Sequence, residues 1–198
     1  MKRVVVGMSG ASGAALGVRA LELLSELPGV ESHLILTHAG RASITEETDL
    51  TVRQVTALAD VVHADNDLGS PLASGSFPVH GMLVAPCSVK TLSGIANCYD
   101  ENLLTRAADV MLKERRRLVL LLRETPLHAG HLRLMTDATA AGAIIMPPVP
   151  AFYTRPATVG EIIGQTVGRA LDLLDLPVPG TRRWTGRANT RTPHETRL

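Results

Sequence analysis

Residues 3–14 read Arg3-Val4-Val5-Val6-Gly7-Met8-Ser9-Gly10-Ala11-Ser12-Gly13-Ala14. A β-branched run ends in glycine and a helix-forming stretch follows. The segment therefore predicts a buried strand over 3–8, a tight turn, and a helix. Glycine lets the backbone turn sharply and approach a ligand closely. The helix start offers free N–H groups and the positive end of its dipole, which attract an anion. Ser9 and Ser12 add hydroxyl donors. A ligand-free strand-to-helix turn would carry the same glycines.

Working outward, the helix runs over 12–27, with Leu16, Ala20, Leu23, Leu24 and Leu27 on one face, and Pro28-Gly29 stops it. A second strand is expected over 31–37 and a helix over 51–59. Residues 66–78 are rich in Gly, Ser and Pro and read as a loop. A third strand covers 81–85 and ends at Pro86. Helices follow over 90–96 and 103–114, a strand over 117–122, a helix over 128–141, a strand over 143–146 and a helix over 158–174. Apolar strands separated by helices imply an α/β parallel sheet covered on both faces. Such sheets bind ligands beyond the carboxyl ends of their strands. Residues 1–181 read as a single domain, and 182–198, polar and Arg-rich apart from Trp184, as a C-terminal arm or tail.

The chain has 198 residues, 45% of them hydrophobic and 20% charged, with a formal net charge of +1. High apolar content and balanced charge argue against disorder and against non-specific nucleic-acid binding. Aromatics make up 3% of the chain, too few for the stacking platforms of a single-strand binder. Two cysteines, Cys87 and Cys98, cannot make a disulfide framework or a four-thiolate zinc site. The apolar run after Lys2-Arg3 is broken by Gly7, Ser9 and Gly10, too early for a signal peptide, and no stretch approaches a membrane span. A soluble cytoplasmic protein is expected.

The anion at the glycine turn can be narrowed. Nicotinamide-binding sheets usually carry an acidic or basic residue at the end of the second strand; here that strand ends Leu34-Ile35-Leu36-Thr37-His38, with no acid. No lysine follows the glycines, against a P-loop. Ala14 stands where a nucleophile elbow needs its second glycine. Flavin mononucleotide or another monophosphate fits better. A second helix start, Pro86-Cys87-Ser88-Val89-Lys90-Thr91-Leu92-Ser93-Gly94, offers the hydroxyls of Ser88 and Thr91 beside the first turn. Arg123-Glu124 follows a hydrophobic strand at its carboxyl end. There an arginine can grip a phosphate in two places, and a glutamate can exchange protons. His128 and His131 are spaced for a metal pair, but no third ligand is evident and no metal is expected. Tyr153 has a hydroxyl for a phosphate. Arg169 can reach the same site or pair with Asp172.

Taken in order, several stretches resemble the UbiX family of flavin prenyltransferases. They are Gly7-Met8-Ser9-Gly10-Ala11-Ser12-Gly13, Ala73-Ser74-Gly75-Ser76-Phe77, the Pro86–Ser93 turn, the run from Arg106 to Arg116, Arg123-Glu124-Thr125-Pro126-Leu127-His128, and Pro147-Pro148-Val149-Pro150-Ala151-Phe152-Tyr153. The resemblance covers residues 2–184. It implies a flavodoxin-like three-layer sandwich with a Rossmann-like parallel sheet. It also implies transfer of a dimethylallyl group from dimethylallyl phosphate to N5 and C6 of reduced FMN. The product, prenylated FMN, would go to UbiD-type decarboxylases, and the assembly would be a homododecamer.

By the same resemblance, Gly10, Ala11, Ser12, Thr37, Ser88, Val89, Lys90, Thr91 and Arg123 would hold FMN. Lys113, Arg123, Tyr153 and Arg169 would surround the prenyl phosphate, partly from neighbouring subunits. Glu124 would move the proton, with Ser12 near the reacting edge and Lys113 completing the catalytic set. Glu47 and Arg106 would support the site. Thr154 stands where many relatives carry histidine. Leu68 stands where some carry an aromatic, so it offers an allyl cation no π-face. Two rival functions use similar folds, a flavin-dependent cysteine decarboxylase and a non-catalytic flavin-carrying subunit of an aromatic-acid decarboxylase. The basic cage of Lys113, Arg123 and Arg169 speaks against the first.

Overall fold

In a computed structural model that describes residues 1–186, strands and helices alternate along the chain. β1 (Lys2–Met8), α1 (Ala14–Ser25) and β2 (Val30–Leu36) come first. Then come α2 (His38–Glu47), α3 (Val52–Thr56), β3 (Val61–His63) and β4 (Gly81–Cys87). The second half holds α4 (Val89–Ala96), α5 (Leu103–Lys113), β5 (Arg117–Leu122), α6 (Ala129–Ala141), β6 (Ile144–Ile145) and α7 (Val159–Asp172). Short 3-10 turns at Pro71–Ala73 and Phe152–Thr154 interrupt the two longest connections.

All six strands are parallel, in the order β3-β2-β1-β4-β5-β6. The expected three-layer parallel sandwich is therefore present. Of the two common doubly wound orders it has the Rossmann one, because β3 extends the sheet beyond β2. Alternate residues of each strand serve opposite layers. Val4, Val6, Leu34, Leu36, Leu83, Ala85, Val119 and Leu121 pack with α1 and α7. Val5, Ile35, Met82, Val84, Leu118 and Leu120 pack with α4 and α5. Burial on both faces explains why these strands read as unbroken apolar runs. No described helix is long and apolar enough to cross a membrane.

Three elements differ from expectation: α2, the three-residue strand β3, and β4. α2 has no apolar stripe to announce it, since only Gly40 and Ile44 are buried. It forms because Thr37 caps it, accepting from the Gly40 amide at 3.0 Å. β4 does not stop at Pro86 but runs on to Cys87, with a register shift between Val84 and Cys87. Proline gives the ladder no N–H, and its carbonyl is used elsewhere. The start of the expected arm is docked. Arg182 exchanges hydrogen bonds with Gln165, its amide donating to Oε1 at 3.0 Å and its carbonyl accepting from Nε2 at 2.7 Å. The remainder of that arm, 187–198, lies outside the described residues.

Candidate active site

β1 sits between β2 and β4, so the crossovers leave it in opposite directions and open a crevice at its carboxyl end. Ser9, 1% exposed, fastens the two sides there. Its hydroxyl donates to the Pro86 carbonyl at 2.9 Å and accepts from the Ser88 amide at 2.8 Å. Ser88 then caps α4, accepting from the Thr91 amide at 3.2 Å and donating to the Thr91 hydroxyl at 3.1 Å. Two hydroxyl-capped helix starts, at Thr37 and Ser88, thus face one cavity of about 1040 Å³. Gly10, Val89, Lys90, Thr91 and Glu124 also line it. A Cβ on Gly10 would collide with Ala39, so glycine lets the first turn close on α2. A second cavity, about 590 Å³, lies between α1, α7 and residues 178–182, away from the strand ends.

The start of α1 is already occupied by an anion of the protein itself. Gly13 holds φ at 111°, and Glu47 accepts from the Gly13 amide at 2.7 Å and the Ala14 amide at 2.9 Å. Burial works to raise the Glu47 carboxyl, but the two amides, the Ser12 hydroxyl and the Arg123 charge outweigh it and hold the group below its ordinary value. The capped starts of α2 and α4, by contrast, line the cavity. Ser12, Glu47 and Arg123 form one cluster flanking the cavity, while the Ala11 amide turns back onto the Ser9 carbonyl at 2.9 Å. The Arg123 amide donates to Cys87 at 3.0 Å and ties β5 to β4.

Glu124 stands in the cavity wall, its Oε1 accepting from the Thr125 amide at 3.0 Å. Lys90 is exposed and paired with Glu101 at 3.0 Å. Lys113 lies elsewhere. It ends α5, before β5 begins, and pairs with Glu114 at 2.6 Å. Glu124 follows the other end of β5, so the strand's length of about 20 Å separates the two groups. Tyr153 and Arg169 gather in a third place, around residues 182–184. The Tyr153 hydroxyl donates to the Arg182 carbonyl at 3.3 Å, and its ring meets Trp184 edge-on at 5.7 Å. Asp172 bridges Arg169 at 2.8 Å and Arg183 at 2.6 Å. Arg106 is a structural bolt, donating to the Ala73 carbonyl, Asp100 and Asp109 at 3.1–3.2 Å.

Cys87 is fully buried, and burial pushes its thiol up to about 12, which makes it a packing residue. The His128 and His131 rings lie with centroids 3.7 Å apart and planes tilted by 31°, and no cluster of three metal-ligating residues exists among the described residues. The motifs do not announce Asp65, Tyr99, Asn102 and Thr105, which also line the cavity. Asp65 has a buried oxygen, Oδ1, without a partner among the described residues. Burial, and then Glu101, hold its carboxyl above the ordinary value against the Leu104 amide, Lys90 and Arg41.

A doubly wound sheet whose switch point carries hydroxyl-capped helix starts around a nucleotide-sized cavity defines a nucleotide-binding α/β protein. The Flavoprotein family model matches residues 1–159. Over 188 residues, 94% of this chain and all of the relative, the chain is 56% identical to flavin prenyltransferase UbiX of Salmonella typhimurium. The crystal structure of AnUbiX (PadA1) in complex with FMN and dimethylallyl pyrophosphate superposes with a TM-score of 0.92 at 51% identity, covering 94% of this chain and 99% of that one. A dodecameric FMN-dependent UbiX-like decarboxylase from Escherichia coli O157:H7 superposes at 0.91 with 47% identity, covering 93% and 100%. The chain belongs to the UbiX family of flavin prenyltransferases, enzymes on an FMN-binding flavoprotein fold.

Proposed function

We propose that this chain moves a dimethylallyl group from dimethylallyl phosphate to N5 and C6 of reduced FMN. The observation that carries the reading is the presence of Glu124 in the same cavity wall as Thr37, Ser88 and Thr91. A phosphate cradle and a proton-transfer group thereby share one site at the sheet's switch point.

When bound, the reduced flavin supplies the nucleophilic nitrogen and carbon. The protein supplies the rest. Hydroxyls and amides at the starts of α2 and α4 hold the nucleotide phosphate. Ser12, kept in place with Glu47 and Arg123, faces the reacting edge. The allylic C–O bond breaks and its electron pair leaves with the phosphate. Lys113, Arg123, Tyr153 and Arg169 place fixed donors and positive charge on that leaving group, each worth about 2.7–4 kcal/mol by analogy with oxyanion holes. Excluding water keeps the allyl cation from hydrolysis. Closing the second bond requires the remaining double bond to take up a proton; the Glu124 carboxyl, or the departed phosphate, would give that proton and take the one displaced from C6.

One chain holds Lys113 far from Glu124, so the reading requires neighbouring copies to complete each site. Leu132, Val149, Phe152 and Val159 are 52–73% exposed, an apolar surface suited to such contacts. A homododecamer is proposed by analogy with the dodecameric relative. The product would serve a UbiD-type decarboxylase, and the enzyme would work in the cytoplasm.

The reading is tested by phosphate release from dimethylallyl phosphate in the presence of reduced FMN. Release that needs reduced flavin supports it. Equal release with oxidised FMN or none contradicts it.

A further inference from the structure

Glu31, His33, His63 and Ser70 form a continuous hydrogen-bonded chain on the α5 side of the sheet. His33, 3% exposed, stands within β2. Its Nε2 lies 2.7 Å from Glu31 Oε1, and its Nδ1 lies 2.9 Å from Nε2 of His63. His63 ends β3, and its Nδ1 lies 2.8 Å from the hydroxyl of Ser70, which is 4% exposed. The two imidazoles stack with centroids 5.2 Å apart, and Phe77 meets His33 edge-on at 5.9 Å. Arg3 pairs with Glu31 at 3.0 Å and covers the Phe77 ring at 4.8 Å. Asp60, held by Ser32, and Asp67 are the other charges that act on the pair.

A 2.9 Å contact between two ring nitrogens holds one hydrogen. With both rings neutral, Ser70 donates to His63, His63 to His33, and His33 to Glu31. Every nitrogen is matched. One added proton on His33 reverses the middle bond. His33 then donates from both nitrogens, and His63 donates to Ser70. A second proton sets two N–H groups against each other, and the chain breaks.

The segment fastened by this chain borders the flavin site. His63 precedes Asp65 of the cavity wall by two residues. Ser70 caps the 3-10 turn that follows it. Farther on, the Gly75 carbonyl accepts from Arg116 at 2.6 Å, and Gly75 lies against the Lys113 side chain. We propose that His33 and His63 are positioning residues, a latch that holds the 64–77 segment while the pair carries at most one added proton and frees it when a second arrives. The link to the flavin site rests on the function proposed above; the latch itself does not.

The sign of the pH effect follows from the surroundings. Burial holds the His63 imidazole below its ordinary value of 6.5, helped by His33 and opposed by Asp67. The unfolded chain therefore takes this proton first. The latch is complete above the unfolded value and is lost as pH falls through the lower folded one.

Hydrogen exchange of peptides covering 64–77, corrected for the intrinsic amide rate, tests the proposal in the full chain between about pH 5 and pH 8. In the wild type, protection is expected to fall about tenfold per pH unit below the transition, the slope of a single proton. His63→Gln can donate to His33 and accept from Ser70 but holds no proton, so its protection should stay high and flat. His63→Ala should lose protection at every pH. A flat wild-type profile, or the wild-type slope retained in His63→Gln, overturns the latch. If the glutamine variant does not fold, ¹⁵N spectra of the wild-type rings decide. One shared N–H is expected, and two independently titrating imidazoles overturn it. FMN titrations at the same pH values separate the link from the latch. Affinity that falls with protection supports the link, and constant affinity over an open segment refutes it without touching the proposed reaction.

Discussion

The Glu47 carboxylate lies 2.7 Å from the Gly13 amide, so the first helix is capped by a side chain 34 residues away in sequence. This contact closes α2 over the glycine turn and fills the anion position that a helix start creates. It also places a negative charge beside Ser12 and Arg123. The glycine turn thus sits beside the capped starts of α2 and α4 that line the cavity.

Replacing Glu47 by alanine should lower stability by about 1 kcal/mol, the usual worth of a helix cap, as read from urea unfolding. The carboxyl's folded-state value is held below 4.5. Its charge therefore stabilises the fold above that value, and the contribution is lost as pH falls through the lower folded one. Glu47→Gln should show a smaller pH dependence than wild type in this acid range. An identical acid profile would remove Glu47 from the account.

Ser9→Ala leaves the part-buried Ser88 amide without its acceptor, while the Pro86 carbonyl keeps the Ser9 amide at 3.2 Å. An unsatisfied buried group costs about 1–3 kcal/mol. The variant should melt lower and bind FMN more weakly, because Ser88 loses its anchor at the α4 start. Unchanged FMN affinity in titration would mean that Ser9 serves only the fold.

Lys113 and Glu124 lie at opposite ends of β5, so the proposed site needs both from different chains. Lys113→Met and Glu124→Gln should each lose most activity alone. Dissociating and reassembling the two variants together should restore sites that draw an intact Lys113 from one copy and an intact Glu124 from another. No recovery in verified mixed assemblies would contradict a shared site.

Glu124→Gln should slow transfer about 100-fold or more, the range of a lost general acid–base group, with FMN affinity spared. Single-turnover rates beside a flavin titration separate the two effects. Full activity would assign the proton to another acceptor.

Much of this architecture is legible in the chain. The apolar runs within 3–8 and 117–122 mark central strands, and Ser88 stands before a helix that its hydroxyl caps. α2 escapes because two buried residues make no stripe, and β3 because three residues are too few to show a period. Pro86 misleads in the other direction, since its missing N–H suggests a strand end while its carbonyl is used by Ser9. Of the site, the turns at Gly10 and Ser88 and the Arg123-Glu124 pair are readable from local sequence. The capping by Glu47, the placement of Asp65 and the separation of Lys113 from Glu124 are not. Each depends on how distant segments meet, and no local spacing records that.

The most direct measurement is anaerobic mass analysis of the flavin after the assembled protein has been given reduced FMN and dimethylallyl phosphate. A flavin heavier by one dimethylallyl group, formed only when both substrates are present, is the predicted result. Unaltered FMN recovered from protein that has bound it would contradict the account.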